Sequence, residues 1–402
     1  MSAHGDLVAL LLLVLASVIG PVVAVRVRLP TAVVLIFAGV GLGPAAANLV
    51  HDTAMVKLLS ELGFLILMFI AGMEIDFDAI RAAGPAMLVR PTLASLGIGA
   101  IALGFGRLLG VGIVETLGIC AMSIGMPLAV LQETGHIRSV IGRYVLLTGS
   151  IGEFFCILAI TALEMVSGEG GAPEILMKVG KMTALFVASA LAVRWARAIV
   201  WWFPGPFGRL VAHHDVAELG VRVGFALMFG FVVLSALFGV EPILGAFIAG
   251  ALVSFVLRQK HVLESKIAAV GHGFFIPIFF VVVGLRFDPR VLDWAAVKLA
   301  LVFSGAAFVS KLLPSLLGGW KEMGFRQRFA AGALLSAPLT LVVAVSTIGK
   351  ELGLIDARIG AALMLMGMVV SIVFPVVFKL LVRKHAAASS APGATDTPLP
   401  HG

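Results

Sequence analysis

The chain has 402 residues, 60% of them hydrophobic and only 13% charged, with a mean hydropathy of +1.11. Soluble globular chains carry about 25% charged and about 45–50% apolar residues, so this composition excludes an ordinary soluble enzyme, a nucleic-acid-binding protein and a disordered chain. The net charge of +7 points to basic cytoplasmic loops rather than to DNA.

A membrane span needs about 20 mostly apolar residues to cross ~30 Å of hydrocarbon. The apolar runs predict thirteen spans, at 6–25, 30–47, 55–75, 84–107, 112–132, 144–167, 175–200, 219–239, 241–257, 271–286, 295–319, 327–350 and 358–382. The expected fold class is therefore an all-α polytopic membrane protein, with no room for a sizeable soluble domain. Met1 to Asp6 lack a basic segment, so the first run reads as a retained helix and not a cleaved signal peptide. Cys120 and Cys156 both lie in apolar runs and imply no disulfide framework. Ala386 to Gly402, rich in Ala, Ser, Pro and Gly, reads as a disordered cytoplasmic tail.

An odd number of spans puts the termini on opposite sides. With the N-terminus outside, nineteen Lys and Arg are assigned to the cytoplasmic side and nine to the other, the remaining one, Lys311, falling deep within a span. The positive-inside rule then favours an outer N-terminus and a cytoplasmic C-terminus.

Segments recur at nearly one offset. Ile36-Phe37-Ala38-Gly39 resembles Phe247-Ile248-Ala249-Gly250 at 211 residues, and Pro127-Leu128 matches Pro338-Leu339 at 211. Gly63-Phe64 and Phe69 match Gly273-Phe274 and Phe279 at 210, and Gly72 to Asp76 matches Gly284 to Asp288 at 212. The offset covers seven spans, an odd number, so the copies run in opposite orientations. Spans 1–6 and 8–13 become inverted repeats around a linker, an arrangement typical of secondary transporters with a midplane site. Chance likeness among Gly- and Phe-rich helices is the competing explanation.

The fifth and twelfth spans carry Pro127 and Pro338 deep inside, beside Ser123 and Gly125 in one and Ser336 and Thr340 in the other. Proline removes a helical hydrogen bond, and in lipid the freed carbonyl needs a partner. Interrupted helices at matching repeat positions point to a binding site. The alternative is a plain proline kink. Ser123, the carbonyls near Pro127, Ser336 and Thr340 are the candidate cation ligands.

Glu153 lies about nine residues into the sixth span. An acid at that depth costs roughly 2.5–3.5 kcal/mol on insertion scales, which makes a functional group the default reading. One carboxylate that binds either H⁺ or a monovalent cation is the minimal chemistry of an exchanger. A structural acid hydrogen-bonded to a neighbour is the alternative. Lys311 is the other deep charge. It either pairs with Glu153 as its counter-charge or snorkels to the cytoplasmic face.

The remaining candidates are weaker. Glu74, Asp76 and Asp78 follow the third span and mark a membrane boundary. Adjacent His213 and His214, with Asp215, rarely make a metal site alone. His272 begins the tenth span and reads as interfacial. Cys156, one turn beyond Glu153, reads as packing.

At this point a resemblance becomes specific. Phe274-Phe275-Ile276-Pro277-Ile278-Phe279-Phe280, followed by Val283-Gly284-Leu285 and Asp288, resembles the tenth-helix signature of the monovalent cation:proton antiporter-2 family. Ile36 to Pro44 is similar to its second-helix signature, Leu67 to Asp76 to its third and Leu244 to Gly250 to its ninth. The resemblance implies a homodimer in a lipid membrane, the bacterial inner membrane, with no nucleic-acid partner. It implies a dimerisation scaffold at 1–83 and 206–294, an ion-transporting core at 84–172 and 295–385, a linker helix at 173–205 and a tail at 386–402. It also implies that the two broken helices cross in the core and that the core moves like an elevator. Of two adjacent polar or acidic positions on the sixth helix, the second aligns with Glu153 and the first with Gly152, a departure. A lone acid goes with electroneutral exchange in that family. The short tail leaves no nucleotide-binding regulatory domain expected in cis.

The function expected is antiport of Na⁺ or K⁺ against H⁺, with no enzymatic activity and no resident cofactor. A Na⁺-coupled organic-solute symporter on a similar scaffold is the alternative. An intramembrane enzyme would need a nucleophile, a paired acid or a metal cluster in the spans, and a passive channel would show no coupling.

Overall fold

The structure is a computed structural model that describes residues 3–167 and 218–382, except positions 28, 76, 241, 257–259, 319 and 321, together with scattered positions between 177 and 195. Every regular element among the described residues is helical. In chain order they are α1 (Ala3–Val27), α2 (Thr31–Leu42), α3 (Ala54–Glu74), α4 (Phe77–Leu109), α5 (Ile113–Cys120), α6 (Gly125–Glu133) and α7 (Val140–Ser167). The second half holds α8 (Leu219–Leu237), α9 (Pro242–Val256), α10 (Lys260–Val270), α11 (Ile276–Leu285), α12 (Trp294–Gly318), α13 (Phe325–Leu335), α14 (Leu339–Glu351) and α15 (Ala357–Val382).

Ten helical segments among the described residues are long and apolar enough to cross a membrane, and the shorter apolar helices α2 and α9 take the second and ninth places. The expected seventh span, His213, His214, Asp215, Asp76 and the tail lie outside the described residues, apart from isolated helical positions in that span.

Two boundaries differ from expectation. α2 stops at Leu42 instead of running to 47, because Gly43 turns into extended backbone ahead of Pro44, and the residue before a proline is driven out of the helical region. The tenth span begins at Lys260, not 271. It passes through a π-helical turn at Gly271–Phe275, where the Ile276 N–H reaches back to the Gly271 carbonyl. Pro277 has no N–H to continue the ordinary ladder, and the register shifts there. His272 therefore sits in a mid-helix turn and not at a helix start.

The helices pack in two sets. α1, α2, α3, α8, α9, α10 and α11 hold one another, and α4, α5, α7, α12, α13, α14 and α15 form the second set. α9 links the sets by touching α4 and α7, and the Phe154 and Phe247 rings stack at 6.3 Å across that contact.

Within the first set, glycines bring backbones together. A Cβ on Gly39 would lie 1.9 Å from the Val281 carbonyl oxygen, and one on Gly284 would lie 2.0 Å from that of Ile36. A Cβ on Gly72 would lie 2.1 Å from the Phe247 oxygen, and one on Gly250 would lie 2.0 Å from that of Phe69. Small residues of this kind let membrane helices approach closely. The α2–α11 seam at Gly39 and Gly284 thus has its counterpart in the α9–α3 seam at Gly250 and Gly72.

Ion pairs tie the helix ends. Arg286 grips Asp52 with two bonds of 2.9 and 3.1 Å, and Arg358 pairs with Asp293 at the same end of the bundle. At the opposite end Lys379 bonds Glu133 at 2.7 Å.

Candidate functional site

The fifth span is two helices. α5 ends at Cys120, Ala121 to Ser123 are non-helical, and α6 starts at Gly125. Pro127 lies in the first turn of α6 and not at the break itself. Its missing N–H belongs there to the unpaired donors of a helix start, so it marks the second half instead of kinking a continuous helix. The twelfth span breaks in the same way. α13 ends at Leu335, and Pro338 stands directly ahead of α14.

The breaks meet. Ser123 Oγ and Thr340 Oγ1 are 2.9 Å apart. Glu153 of α7 lies alongside, only 1% exposed. The backbone N–H of Ile124, at the start of α6, donates to Glu153 Oε2 at 3.0 Å. A carboxylate at a helix N-terminus is favoured by the unpaired N–H groups and the helix dipole. Glu153 Oε1 is buried and has no hydrogen-bond partner.

A cavity of about 1400 Å³ connects this cluster to the bundle end. Ser123, Glu153 and Thr340 line it in the interior, and the Glu133–Lys379 pair and His136 line it at the end. Glu74 and His272 also line it. The placement of the Asp78 side chain lies outside the described residues.

Lys311 is fully buried on α12. Its ammonium donates to the carbonyl of Ile119 in the last turn of α5. No ion pair among the described residues joins it to Glu153, and its burial excludes snorkelling. A cation on the last carbonyls of α5 offsets the negative end of that half-helix. The first break is thus compensated on both sides, by an acid at the start of α6 and a base at the end of α5. Ser336 is brought to the second break, but its hydroxyl donates back to the Gly332 carbonyl at 2.8 Å.

Three features were not read from the sequence. Ile124 contributes only its backbone. Ser371 of α15 lines the cavity with a buried, unpartnered hydroxyl; its signal was a lone serine in the apolar run from Met368 to Val373. Met122 covers Gly152, where a Cβ would lie 2.1 Å from the Met122 methyl carbon. The space beside Glu153 on α7 is therefore filled from the break.

Comparison with known proteins bears on the family and the fold. The family model for the transmembrane sodium/hydrogen exchanger matches residues 12–384. The chain belongs to the sodium/hydrogen exchanger family. That is a family of membrane transporters and not of enzymes. YjbQ of Bacillus subtilis, named as a candidate Na⁺/H⁺ antiporter, is 30% identical over 95% of this chain, which spans 64% of that relative's length. The Na⁺/H⁺ antiporter of Enterococcus hirae is 25% identical, with 93% of this chain and 97% of that protein covered. The sodium proton antiporter MjNhaP1 of Methanocaldococcus jannaschii shares the fold, with a TM-score of 0.63 at 16% identity over 94% of this chain and 99% of that one.

Proposed function

We propose that the chain exchanges Na⁺ or K⁺ for H⁺, one for one, at Glu153. The observation that carries this reading is the division of the carboxylate. One oxygen is held by the Ile124 N–H, and the other is buried without a partner. A buried charge without a partner is costly, so Glu153 calls for a proton or a cation on its open oxygen. Ser123 and Thr340, with the carbonyls freed by the breaks, supply the further oxygens that a small monovalent cation takes. H⁺ and cation compete for one oxygen, and the empty anionic carrier is the form least able to cross the apolar layer. Obligatory exchange follows.

Each loaded form of Glu153 is neutral. With Lys311 charged throughout and glycine at 152, no net charge moves per cycle, and exchange is electroneutral. The paired glycine seams and the matched breaks support the inverted repeat, with α5–α6 and α13–α14 crossing at their gaps. On this reading the α4–α7 and α12–α15 set is the moving core, and the other set is the scaffold of a homodimer. The charge asymmetry supports a cytoplasmic Glu133–Lys379 end, and on that reading the cavity faces inward.

The test is reconstitution in proteoliposomes under an imposed pH gradient, with Na⁺, Li⁺ and K⁺ added in turn. Cation addition dissipates the gradient, clamping the membrane potential does not change the rate, and Glu153→Gln abolishes the response. Full exchange in Glu153→Gln would remove the site assignment, and a rate that follows the clamped potential would remove electroneutrality.

A further inference from the structure

A second, smaller cavity lies at the Arg286–Asp52 end of the bundle and holds about 250 Å³. It sits on the seam between the two helix sets. Asp52, Lys57 and Ser60 of α3, and Arg286 just past α11, line it from one side, and Thr347, Lys350 and Glu351 of α14 from the other. Lys57 and Glu351 are exposed, so the space opens to solvent at the bundle end.

The charges in this space are unevenly matched. Asp52 is occupied by Arg286, which bonds both of its oxygens through Nε and Nη2 and keeps Nη1. Lys57 has Glu61 at 3.9 Å, with both side chains more than half exposed, a pair that contributes little. Lys350 has no ion pair among the described residues. It is half-buried, with its stem across Gly360 of α15, where an added Cβ would lie 2.8 Å from Lys350 Cδ. Glu351 is exposed, and water solvates its charge. A base in the last turn of α14 suits the helix dipole. That accounts for a cation at this helix end. It does not account for the other helix set presenting Lys57 and Arg286 to the same small space, where like charges repel.

We propose that this seam binds a tetrahedral oxyanion, a free sulfate or phosphate or the phosphate of a lipid headgroup, between Lys350 of one helix set and Lys57 and Arg286 of the other. Charged donors make the stronger hydrogen bonds to such oxygens, and the Ser60 and Thr347 hydroxyls add neutral ones. The consequence for transport rests on the exchange reading above, whereas the binding does not. An anion at the seam ties α14 of the moving set to α3 and α11 of the other. Occupancy then slows exchange.

The probe is sulfate, a dianion across the neutral range that brings no proton into the assay. Calorimetry on the purified full-length protein, freed of phospholipid and set against chloride at matched ionic strength, finds one sulfate per chain. Lys350→Met weakens it about tenfold, the loss of one charged hydrogen bond. Lys57→Met, at an exposed position, weakens it about twofold. Glu351→Gln acts in the opposite direction and tightens binding, because it removes an acid that faces the anion. In proteoliposomes with sulfate on both faces, exchange by the unmodified protein slows relative to chloride, and exchange by Lys350→Met does not. Lipid composition separates the two sources. A free anion slows exchange equally in phosphatidylcholine and phosphatidylglycerol vesicles. A headgroup in the site makes exchange slow in phosphatidylglycerol from the outset and insensitive to sulfate, and Lys350→Met relieves it. Absence of sulfate binding, binding unchanged in Lys350→Met, or weaker binding in Glu351→Gln overturns the site. Binding without any slowing, or equal slowing by chloride, overturns its role at the seam. A protein with no exchange under any condition would sink the transport reading and leave the binding result standing.

Discussion

The two breaks occupy matching places in the sequence and differ in what surrounds them. Around the first, side chains from other helices complete the backbone: Glu153 accepts from Ile124, and Lys311 donates to Ile119. Around the second, the local chain completes itself, with Ser336 bonded to Gly332 of its own helix, and only Thr340 reaches across. On the proposed function, the first break carries the chemistry and the second mainly lends geometry. Repetition of a fold supplies two equivalent gaps; the charges that enter one of them decide which becomes the working half.

The largest test of that difference is Lys311→Met. It leaves a buried carbonyl without its donor, at a cost of about 1–3 kcal/mol, and removes the compensation of the α5 end. Exchange falls to background and thermal stability drops; normal exchange would show that the first break needs no base. Next is Gly152→Ala, whose added carbon would press on Met122. Overpacking costs about 1–3 kcal/mol. Exchange falls strongly, and combining it with Met122→Ala restores most of it, which a double-mutant cycle measures.

Smaller effects follow from the hydroxyls. Ser123→Ala and Thr340→Ala each remove about 1 kcal/mol of cation binding, raising the cation KM roughly fivefold, while Ser336→Ala leaves KM within about twofold. Equal effects at Ser336 and Thr340 would mean that the second break binds the ion as the first does. The smallest effect lies outside the membrane. The Ala296 N–H and Arg358 hold the Asp293 carboxyl below its usual range. A lowered folded-state value stabilises above the unfolded pKa, about 3.9, and that gain is lost as pH falls through the folded value. Asp293→Asn therefore leaves exchange unchanged, and its slight melting difference from the unmodified protein disappears only in strong acid.

Much of this was legible in the sequence because apolar runs and buried charges have few outlets in lipid. The broken spans followed from Pro127 and Pro338, and Glu153 from its depth in an apolar run. The rest was hidden for physical reasons. Backbone groups such as the Ile124 N–H and Ile119 carbonyl are the same in every residue, so nothing in the sequence marks them as partners. The partner of Lys311 depends on where α5 ends, which no spacing gives. The start of the tenth span was obscured because α10 carries Lys260, Glu264 and Lys266, charges that read as loop although the helix continues through them.

The glycine seams give one half of the molecule a mechanical character. Side-chain contacts can yield by changing rotamer, but at Gly39, Gly72, Gly250 and Gly284 the facing atoms are backbone and have no rotamer to change. Such a joint does not creep under load. Strain arriving through the stacked rings of Phe154 and Phe247 meets a stiff frame on the α9 side and softer, non-helical segments on the α5–α6 side. Displacement collects where the backbone is already interrupted, beside the carboxylate.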